Sequence, residues 1–356
     1  MIALAKSKTF DLALKAQLIL GFLYFQIGCY DSVNLIELKG ATMGTTYSIK
    51  FSTFNDSLDS LRIANKVDSL LLNINNQMST WNNDSEISKF NKWVSLEPYF
   101  VSNEFLEVLN TSLSISKKTN GYFDIAIFDL MSMWGFGPSP KQGTPKNNTI
   151  DSVLQFTGYE NLNVNNDSIS KLHKNAKIDL NAIAKGYAVD NIFEYLKSEG
   201  FKNIFVEIGG EVRFSSKIGK KINWSIGIEN PPAKTGDNQK FASILNLRDK
   251  SVATSGNYRN FINLDGEIFG HTINPKTGLP IKTNVLSVTV IAESCMDADA
   301  WATALMVLNF REGYEMIKKV KGLDVMWITE NKQGDRQIII SGKIEMDEVL
   351  YPIASL

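Results

Sequence analysis

Hydrophobic residues recur along the chain at two different spacings, which predicts a mixture of helices and strands. Apolar residues from Leu58 to Met78 are three or four positions apart, as on one face of an amphipathic helix. Further helices are predicted from Asn103 to Lys118, closed by Asn120-Gly121, and from near Asn181 to Gly200. Two more are predicted over residues 297–308 and 311–321.

Other segments show the strand pattern, in which apolar side chains alternate or form short β-branched runs. Alternation from Ile204 to Ile208 leads into Gly209-Gly210, and residues 285–292 are strongly β-prone. Asp265-Gly266 predicts a tight hairpin turn, and a second hairpin is expected around Gly334. The predicted fold class is therefore α+β, a mixed fold with mainly antiparallel sheets and helices packed on them.

One long loop is predicted from Gly137 to Thr149, a segment with three prolines and a pair of asparagines. It either separates two lobes or is a surface excursion within one domain.

The composition of the chain does not decide between one lobe and two. The 356 residues are 44% hydrophobic with a net charge of -1, as in a soluble globular protein. The near-zero charge argues against nucleic acid as a partner.

The N-terminal segment differs from the rest of the chain. Three early lysines precede an apolar run that ends at Ile27, and Gly28-Cys29 follow, as at the end of a secretory signal. The cysteine resembles that of a bacterial lipoprotein signal, although Gln26 replaces the usual leucine. A signal-anchor with an incidental cysteine is the alternative. We therefore expect a lipoprotein signal peptide at 1–28, a tether at 29–39 and one domain, of one or two lobes, at 40–350. The chain would be lipid-anchored at Cys29 in the bacterial cell envelope, on its extracytoplasmic (periplasmic) face.

The motifs exclude some nucleotide and metal sites. No glycine-rich dinucleotide fingerprint and no P-loop are present, and two histidines cannot build a histidine-rich zinc site. Asp299 and Thr303 are four positions apart, so their oxygens face the same side of a helix. Completed by carbonyl, phosphate and water oxygens, this pair suits magnesium; a purely structural role is the alternative. The other cysteine, Cys295, is expected to be a small buried residue near a strand end.

Three further positions each allow two interpretations. Asp179 stands before a predicted helix and is either its N-cap or part of a ligand site, with Lys185 adding positive charge for an anion. Gly209-Gly210 either lets a ligand approach the backbone or forms a turn. His271 begins a structured turn, where it is either a base near neutral pH or a hydrogen-bonded structural residue.

Eight sequence motifs follow one another along the chain. They are MGTTYSI, MSTWNNDSEISKFN, GYFDIAI with WGFGP, DLNAIAKGYAVD, VEIGGE, ATSGNYRNF, HTINPKTGLP and DADAWATAL. In this order they resemble the ApbE family, which comprises the FAD:protein FMN transferases. The resemblance covers roughly residues 40 to 345 and implies an ApbE-like, T-fold-related architecture.

The resemblance also implies roles for individual residues. His271 aligns with the family's histidine and is the expected catalytic base, with Asp179 or a bound water as the alternative. The metal would be bound by the carbonyl of Ala182 and the side chains of Asp299 and Thr303. The residues that would line the FAD site are Met43, Trp81, Tyr122, Phe123, Asp124, Asp179, Lys185 and Ile273.

Some positions depart from the family pattern. Trp81 replaces a usual tyrosine, and Asn181-Ala182 replace two glycines. Asn274 replaces an aspartate in the turn after His271, which removes a charge near the expected base. Trp301 occupies a place commonly held by a small residue and is expected to narrow the pocket.

The implied activity is the transfer of FMN from FAD to a Thr or Ser hydroxyl of an acceptor protein, with formation of a phosphoester and release of AMP. It would require Mg²⁺, with Mn²⁺ as the alternative metal. The implied acceptors are flavoprotein subunits of membrane redox pumps. Two other functions stay open: hydrolysis of FAD to FMN and AMP, and non-catalytic binding of FAD by a lipoprotein.

Overall fold

A computed structural model describes residues 34–53, 58–138, 140, 143–216, 224–232, 239–256, 258 and 261–354. The predicted signal peptide and Cys29 lie outside the described residues. The first strand begins at Asn34, so residues 34–39, which were predicted as tether, are part of the folded sheet. Over the described ranges, every helix is too short or too polar to cross a membrane.

Helices and strands alternate irregularly along the described part of the chain. The strands are β1 (Asn34–Thr42), β2 (Thr45–Thr53), β3 (Tyr99–Phe100), β4 (Leu162–Val164), β5 (Ser168–Lys171), β6 (Lys202–Ile208), β7 (Glu211–Phe214), β8 (Ser225–Glu229), β9 (Phe241–Asn246), β10 (Ser251–Gly256), β11 (Phe261–Leu264), β12 (Glu267–Gly270), β13 (Val285–Ala292), β14 (Asp324–Glu330), β15 (Arg336–Ser341) and β16 (Met346–Asp347). The helices are α1 (Ser60–Met78), α2 (Glu86–Lys92), α3 (Asn103–Lys118), α4 (Phe128–Met133), α5 (Asn147–Leu154), α6 (Ala184–Ser198), α7 (Cys295–Val307) and α8 (Phe310–Ile317).

An eight-stranded sheet in the order β1-β2-β6-β7-β10-β13-β14-β15 is the centre of the fold. All of its neighbouring strands are antiparallel. Among the described residues, three small sheets accompany it: β11-β12, β16-β9-β8 and β3-β5-β4. The predicted α+β class with mainly antiparallel sheets is confirmed.

The two faces of the central sheet contact different layers because side chains alternate along each strand. In β14, Val325 and Trp327 point into the larger core, which contains the helices. Met326 and Ile328, between them, point into a second core shared with the β16-β9-β8 sheet. Helix α7 packs on α6 and on strands β10 and β13. This places the α6–α7 pair against the middle of the sheet.

Helix α7 is buried on nearly all sides, as expected for an apolar helix in the centre of a domain. Its alanines allow close contact with α6 and the sheet. Trp301 is 3% exposed and belongs to the larger core, so the expectation that it narrows the ligand pocket is wrong. Cys295 is a buried free thiol at the first position of α7, three positions after the end of β13, which agrees with the prediction of a small buried residue near a strand end.

Most predicted elements are present, with shifted ends. The helix predicted over 103–118 has those bounds, and the positive φ angles of Asn120 and Gly121 end it. The helix predicted from Asp297 begins two residues earlier, because the Ser294 side chain accepts a hydrogen bond from the Asp297 backbone N–H and caps it. The helix predicted over 311–321 is Phe310–Ile317.

The predicted turns also occur. Asp265 and Gly266, with φ angles of 53° and 85°, connect β11 to β12, and Gly334 lies between β14 and β15. The predicted loop from Gly137 is shorter than expected, since α5 begins at Asn147; residues 139, 141 and 142 lie outside the described ranges. Leu130, before this loop, and Ile150, after it, belong to the same hydrophobic cluster.

Candidate active site

A cavity of about 220 Å³ lies where the approach to α6, the side of α7 and the ends of β10 and β12 meet. Its volume is below the range of about 300–1,000 Å³ for pockets that enclose a drug-sized ligand. A dinucleotide would therefore extend beyond it, onto neighbouring surface. The lining residues are Asp124, Ile127, Met131, Asp179, Asn181, Ala182, Lys185, Gly209, Glu211, Thr254, Ser255, Gly256, Tyr258, His271, Thr272, Ile273, Asp299 and Thr303.

The predicted metal ligands Ala182, Asp299 and Thr303 all line this cavity. Thr303 Oγ1 lies 3.4 Å from Ser255 Oγ, and Asp299 Oδ2 accepts a hydrogen bond of 3.1 Å from the backbone N–H of Gly186. The described residues contain no group of three or more His, Cys, Asp or Glu that could bind a metal. At the predicted metal position the donors are the Asp299 carboxylate, the Thr303 hydroxyl and the backbone of Ala182, which suit a hard divalent cation completed by ligand oxygens and water.

Lys185 lies between two acidic side chains. Its Nζ is 3.0 Å from Glu211 Oε1 and 3.7 Å from Asp299 Oδ2. Burial alone would lower the pKa of Lys185, but the charges of Asp299 and Glu211 outweigh it and raise that pKa. Lys185 is therefore a permanent cation in the wall of the cavity.

Two other carboxylates in the cavity wall are buried beside backbone amides. Asp124 accepts hydrogen bonds of 2.8 Å from the N–H groups of Ala126 and Tyr159, yet burial raises its pKa to about 7. Asp179 accepts hydrogen bonds from the backbone N–H and side-chain amide of Asn181, and burial raises its pKa to about 6. In both, the loss of hydration outweighs the stabilising hydrogen bonds.

The interpretation of Asp179 as a helix N-cap is wrong. Helix α6 begins at Ala184, its N-cap residue is Ile183, and no side chain in the described part of the chain caps it. Asp179 instead stabilises the turn at Asn181 that precedes the helix. This turn is where the approach to α6 borders the cavity, so Asp179, Asn181 and Ala182 all reach the site from outside the helix.

His271 and Ile273 follow β12 and line the same cavity. The His271 ring lies edge-on to Phe136 with centroids 6.3 Å apart. Asn274 does not line this cavity. It organises the following turn, where Oδ1 accepts from the Lys276 N–H and its carbonyl accepts from the Gly278 N–H. The loss of the family's aspartate at 274 therefore leaves this turn intact.

Four of the predicted FAD residues do not line the cavity. Met43 lies in the turn between β1 and β2 with a φ of 50°. Trp81 is 65% exposed after α1, and Tyr122 borders a neighbouring cleft, with Lys276 Nζ 4.5 Å from its ring centroid. Phe123 is 1% exposed, so its side chain is part of the core and offers no surface to a ligand.

Several lining residues were missed in the sequence. Glu211 is the main one: it ends the VEIGGE motif, in which only the glycines were singled out. The signal in the sequence is the position of this acidic residue, directly after the Gly209-Gly210 pair. Ser255 and Tyr258 belong to the ATSGNYRNF motif, which was recognised without a role for either residue. The other missed lining residues are Ile127, Met131, Thr254, Gly256 and Thr272.

Comparison with known proteins gives consistent matches. The chain matches the ApbE family over residues 43–327. It is 37% identical over 311 residues to the FAD:protein FMN transferase of Vibrio cholerae serotype O1, across 87% of this chain and 92% of that protein. The FAD:protein FMN transferase of Escherichia coli K12 is 35% identical over 304 residues, across 84% of each chain. The solved structure of the flavin transferase ApbE from Vibrio cholerae superposes with a TM-score of 0.79 at 35% identity, across 90% of this chain and 99% of that one.

Proposed function

This chain belongs to the ApbE family, and from that membership we propose that it is an FAD:protein FMN transferase. The observation that supports the proposal is the convergence of Ala182, Lys185, His271, Asp299 and Thr303 on one cavity. These residues come from the approach to α6, the end of β12 and the side of α7. Together they offer donors for a hard cation, a positive charge for a phosphate and an imidazole for proton transfer.

The proposed reaction is a phosphoryl-type transfer. The hydroxyl oxygen of an acceptor Thr or Ser attacks the phosphorus of the FMN half of FAD and forms a phosphoester. The anhydride bond to the AMP half breaks, and AMP leaves with the bridging oxygen. His271 accepts the hydroxyl proton, and Lys185 stabilises a phosphate oxygen.

The charge of the cavity supports the proposal that the reaction requires a divalent cation. Glu211 and Asp299 flank the ammonium of Lys185 in the cavity wall. Asp124 and Asp179 add negative charge when the pH is above their raised pKa values of about 7 and about 6. Such a wall disfavours a pyrophosphate unless positive charge is added. Asp299, Thr303 and Ala182 would hold Mg²⁺, or Mn²⁺. When bound, the ion would stabilise the charge that develops on the leaving phosphate.

The cellular setting is part of the same proposal. A lipid anchor at Cys29 would hold the enzyme at the extracytoplasmic face of a bacterial membrane. Its acceptors would then be proteins exposed at that face, such as flavoprotein subunits of membrane redox pumps. The anchor is tested by expression of wild type and Cys29→Ala in a bacterial host grown with labelled palmitate. Label should be incorporated into the wild-type protein and not into Cys29→Ala.

The activity is tested with FAD, Mg²⁺ and a candidate acceptor domain, by mass spectrometry of the acceptor and chromatography of AMP. We expect one FMN added per acceptor and an equal amount of AMP. Asp299→Asn should lower the rate at least roughly 100-fold, because it removes the metal carboxylate. Asp297→Asn, on the same helix but outside the cavity, is the matched control and should retain activity.

Two outcomes would replace the proposal. Free FMN and AMP without a mass change on any acceptor would indicate an FAD pyrophosphatase, in which water takes the place of the hydroxyl. FAD that binds but stays intact with Mg²⁺ present would indicate a non-catalytic flavin-binding protein.

A further inference from the structure

Glu211 is the first residue of β7, directly after the Gly209-Gly210 turn, and its side chain lines the cavity. The residue is only 5% exposed. Its Oε1 lies 3.0 Å from Lys185 Nζ, whereas its Oε2 is buried and has no hydrogen-bond partner in the described protein. Buried polar atoms of this kind are normally paired. Among the described residues, Oε2 is therefore an unpaired acceptor in the wall of the cavity, beside the Glu211–Lys185 ion pair.

Two carboxylates compete for the single ammonium group of Lys185. Glu211 is the nearer, at 3.0 Å, and Asp299 follows at 3.7 Å. Asp299 Oδ2 already accepts the Gly186 N–H, so the Asp299 carboxylate is held in place by the backbone of α6. The Lys185 ammonium, at the end of four flexible methylene groups, is instead held by its ion pair with Glu211.

We propose that Glu211 is a positioning residue that holds the Lys185 ammonium away from Asp299 and so keeps the Asp299 carboxylate available to a divalent cation. The inference rests on the proposed function, since it assumes that Asp299 is a metal ligand. It concerns metal affinity, which can be measured without FAD or acceptor.

The physical reason is competition between two cations for one carboxylate. If Glu211 loses its charge, Asp299 is the remaining carboxylate within 4 Å of Lys185 Nζ among the described ion pairs. The Lys185 ammonium would then pair with Asp299. A divalent ion would have to displace this ammonium from Asp299 and bind close to its positive charge. A shorter carboxylate at position 211 would keep the charge but lengthen the contact, and should restore part of the effect.

The test is binding of Mn²⁺ alone, followed by electron paramagnetic resonance, in wild type, Glu211→Gln, Lys185→Met and the double variant. We expect Glu211→Gln to weaken Mn²⁺ binding roughly tenfold, equivalent to about 1.4 kcal/mol. In the Lys185→Met background, the same substitution should change binding less than about twofold, because the competing ammonium is absent. Glu211→Asp should fall between wild type and Glu211→Gln.

Each other result overturns the inference. Equal weakening by Glu211→Gln in both backgrounds would identify Glu211 as a metal ligand itself. Unchanged Mn²⁺ binding with a lowered melting temperature would assign it a structural role only, and absence of Mn²⁺ binding in wild type would remove the premise. If Glu211→Gln does not fold, the comparison of Glu211→Asp with and without Lys185→Met decides. A wild type that flavinylates its acceptor while Glu211→Gln binds Mn²⁺ normally would refute this inference and leave the proposed function standing.

Discussion

The backbone N–H of Gly186 donates a hydrogen bond of 3.1 Å to Oδ2 of Asp299, across 113 positions of the sequence. The bond fixes the carboxylate on α7 relative to the first turn of α6, which follows Ala182 and contains Lys185. Its length depends on the close contact between the two helices. The orientation of the proposed metal ligand is thus set by a glycine on another helix.

Gly186→Ala should separate the two helices. A Cβ at position 186 would lie 2.7 Å from the Cα of Met296 and closer still to the carbonyl oxygen of Cys295, both of which are backbone atoms that cannot move aside. We expect a loss of about 1–3 kcal/mol in the free energy of unfolding, as for other overpacked sites. Transferase activity should fall more than roughly tenfold, since each displacement of Asp299 weakens the metal site. Urea denaturation and acceptor flavinylation measure the two effects.

Gly313→Ala is the control for this substitution. Gly313 is also helical, but the nearest atom to its added Cβ is Leu305 Cδ2 at 3.2 Å, the end of a flexible side chain. Stability should change by less than about 1 kcal/mol, because the helix propensity of alanine offsets the crowding. Equal losses of unfolding free energy in the two variants would contradict the prediction that the close contact between α6 and α7 makes position 186 intolerant of a Cβ.

Asp190→Asn should destabilise the start of α7. The Asp190 carboxylate accepts hydrogen bonds from the Cys295 and Met296 N–H groups and from Ser294 Oγ, and it pairs with Arg213 at 2.7 Å. Asparagine removes the charge and one acceptor oxygen, so we expect a loss of about 1–3 kcal/mol. Thermal unfolding of both proteins at the same pH measures it.

Glu194→Gln is matched to Asp190→Asn because Glu194 pairs with the same Arg213, also at 2.7 Å. The Glu194 side chain is half exposed, so water replaces the lost ion pair and the cost should stay below about 1 kcal/mol. A larger loss from Glu194→Gln than from Asp190→Asn would contradict the assignment of Asp190 as the residue that anchors α7.

The stability of the protein should fall with rising pH through Asp124. Burial raises the pKa of Asp124 in the folded protein to about 7, from the usual 3.8. Between these two values the folded state binds a proton that the unfolded chain has released, so raising the pH removes stability. Asp124→Asn should reduce the drop in unfolding free energy between about pH 5 and pH 7.5 by about 1–3 kcal/mol.

The comparison uses chemical denaturation of both proteins at several pH values. Asparagine also loses one of the two backbone contacts of Asp124, so the variant should be less stable than wild type at pH 5. The prediction concerns the pH dependence of the unfolding free energy and not its absolute value. Parallel stability curves for wild type and Asp124→Asn would contradict it.

Trp81→Ala should weaken FAD binding with little effect on stability. The Trp81 ring is 65% exposed, so the fold does not depend on its burial, and a flat aromatic surface can stack on a flavin or an adenine. Loss of one stacking partner costs about 1–3 kcal/mol, or roughly 5- to 100-fold in affinity. Fluorescence titration with FAD and Mg²⁺ in the absence of an acceptor measures binding without transfer.

Phe100→Ala is the control, since Phe100 is 72% exposed on strand β3 and was not assigned to the site. It should leave FAD affinity within about twofold of wild type. If Trp81→Ala behaves in the same way as Phe100→Ala, the position carried over from the family resemblance has no role in FAD binding.

The local features of the chain could be predicted from the sequence. The helix over 103–118, the strand over 285–292 and the placement of Asp299 and Thr303 on one side of a helix were confirmed, because each depends on side chains only a few positions apart. The family resemblance added the order of motifs and the function class. The first residues of α6 and α7 were missed by two or three positions, since capping depends on individual contacts such as that of Ser294.

Only the tertiary structure decided which distant residues meet. Glu211 pairs with Lys185 because the hairpin of β6 and β7 lies beside α6, a relation that no local pattern contains. The burial of Phe123 and Trp301 in the core is of the same kind, because aromatic side chains can either pack or bind a ligand, and the packing of neighbouring elements selects between the two. Sequence spacing determines the geometry within a helix or strand, whereas contacts across more than 100 positions are determined by sheet register and helix packing.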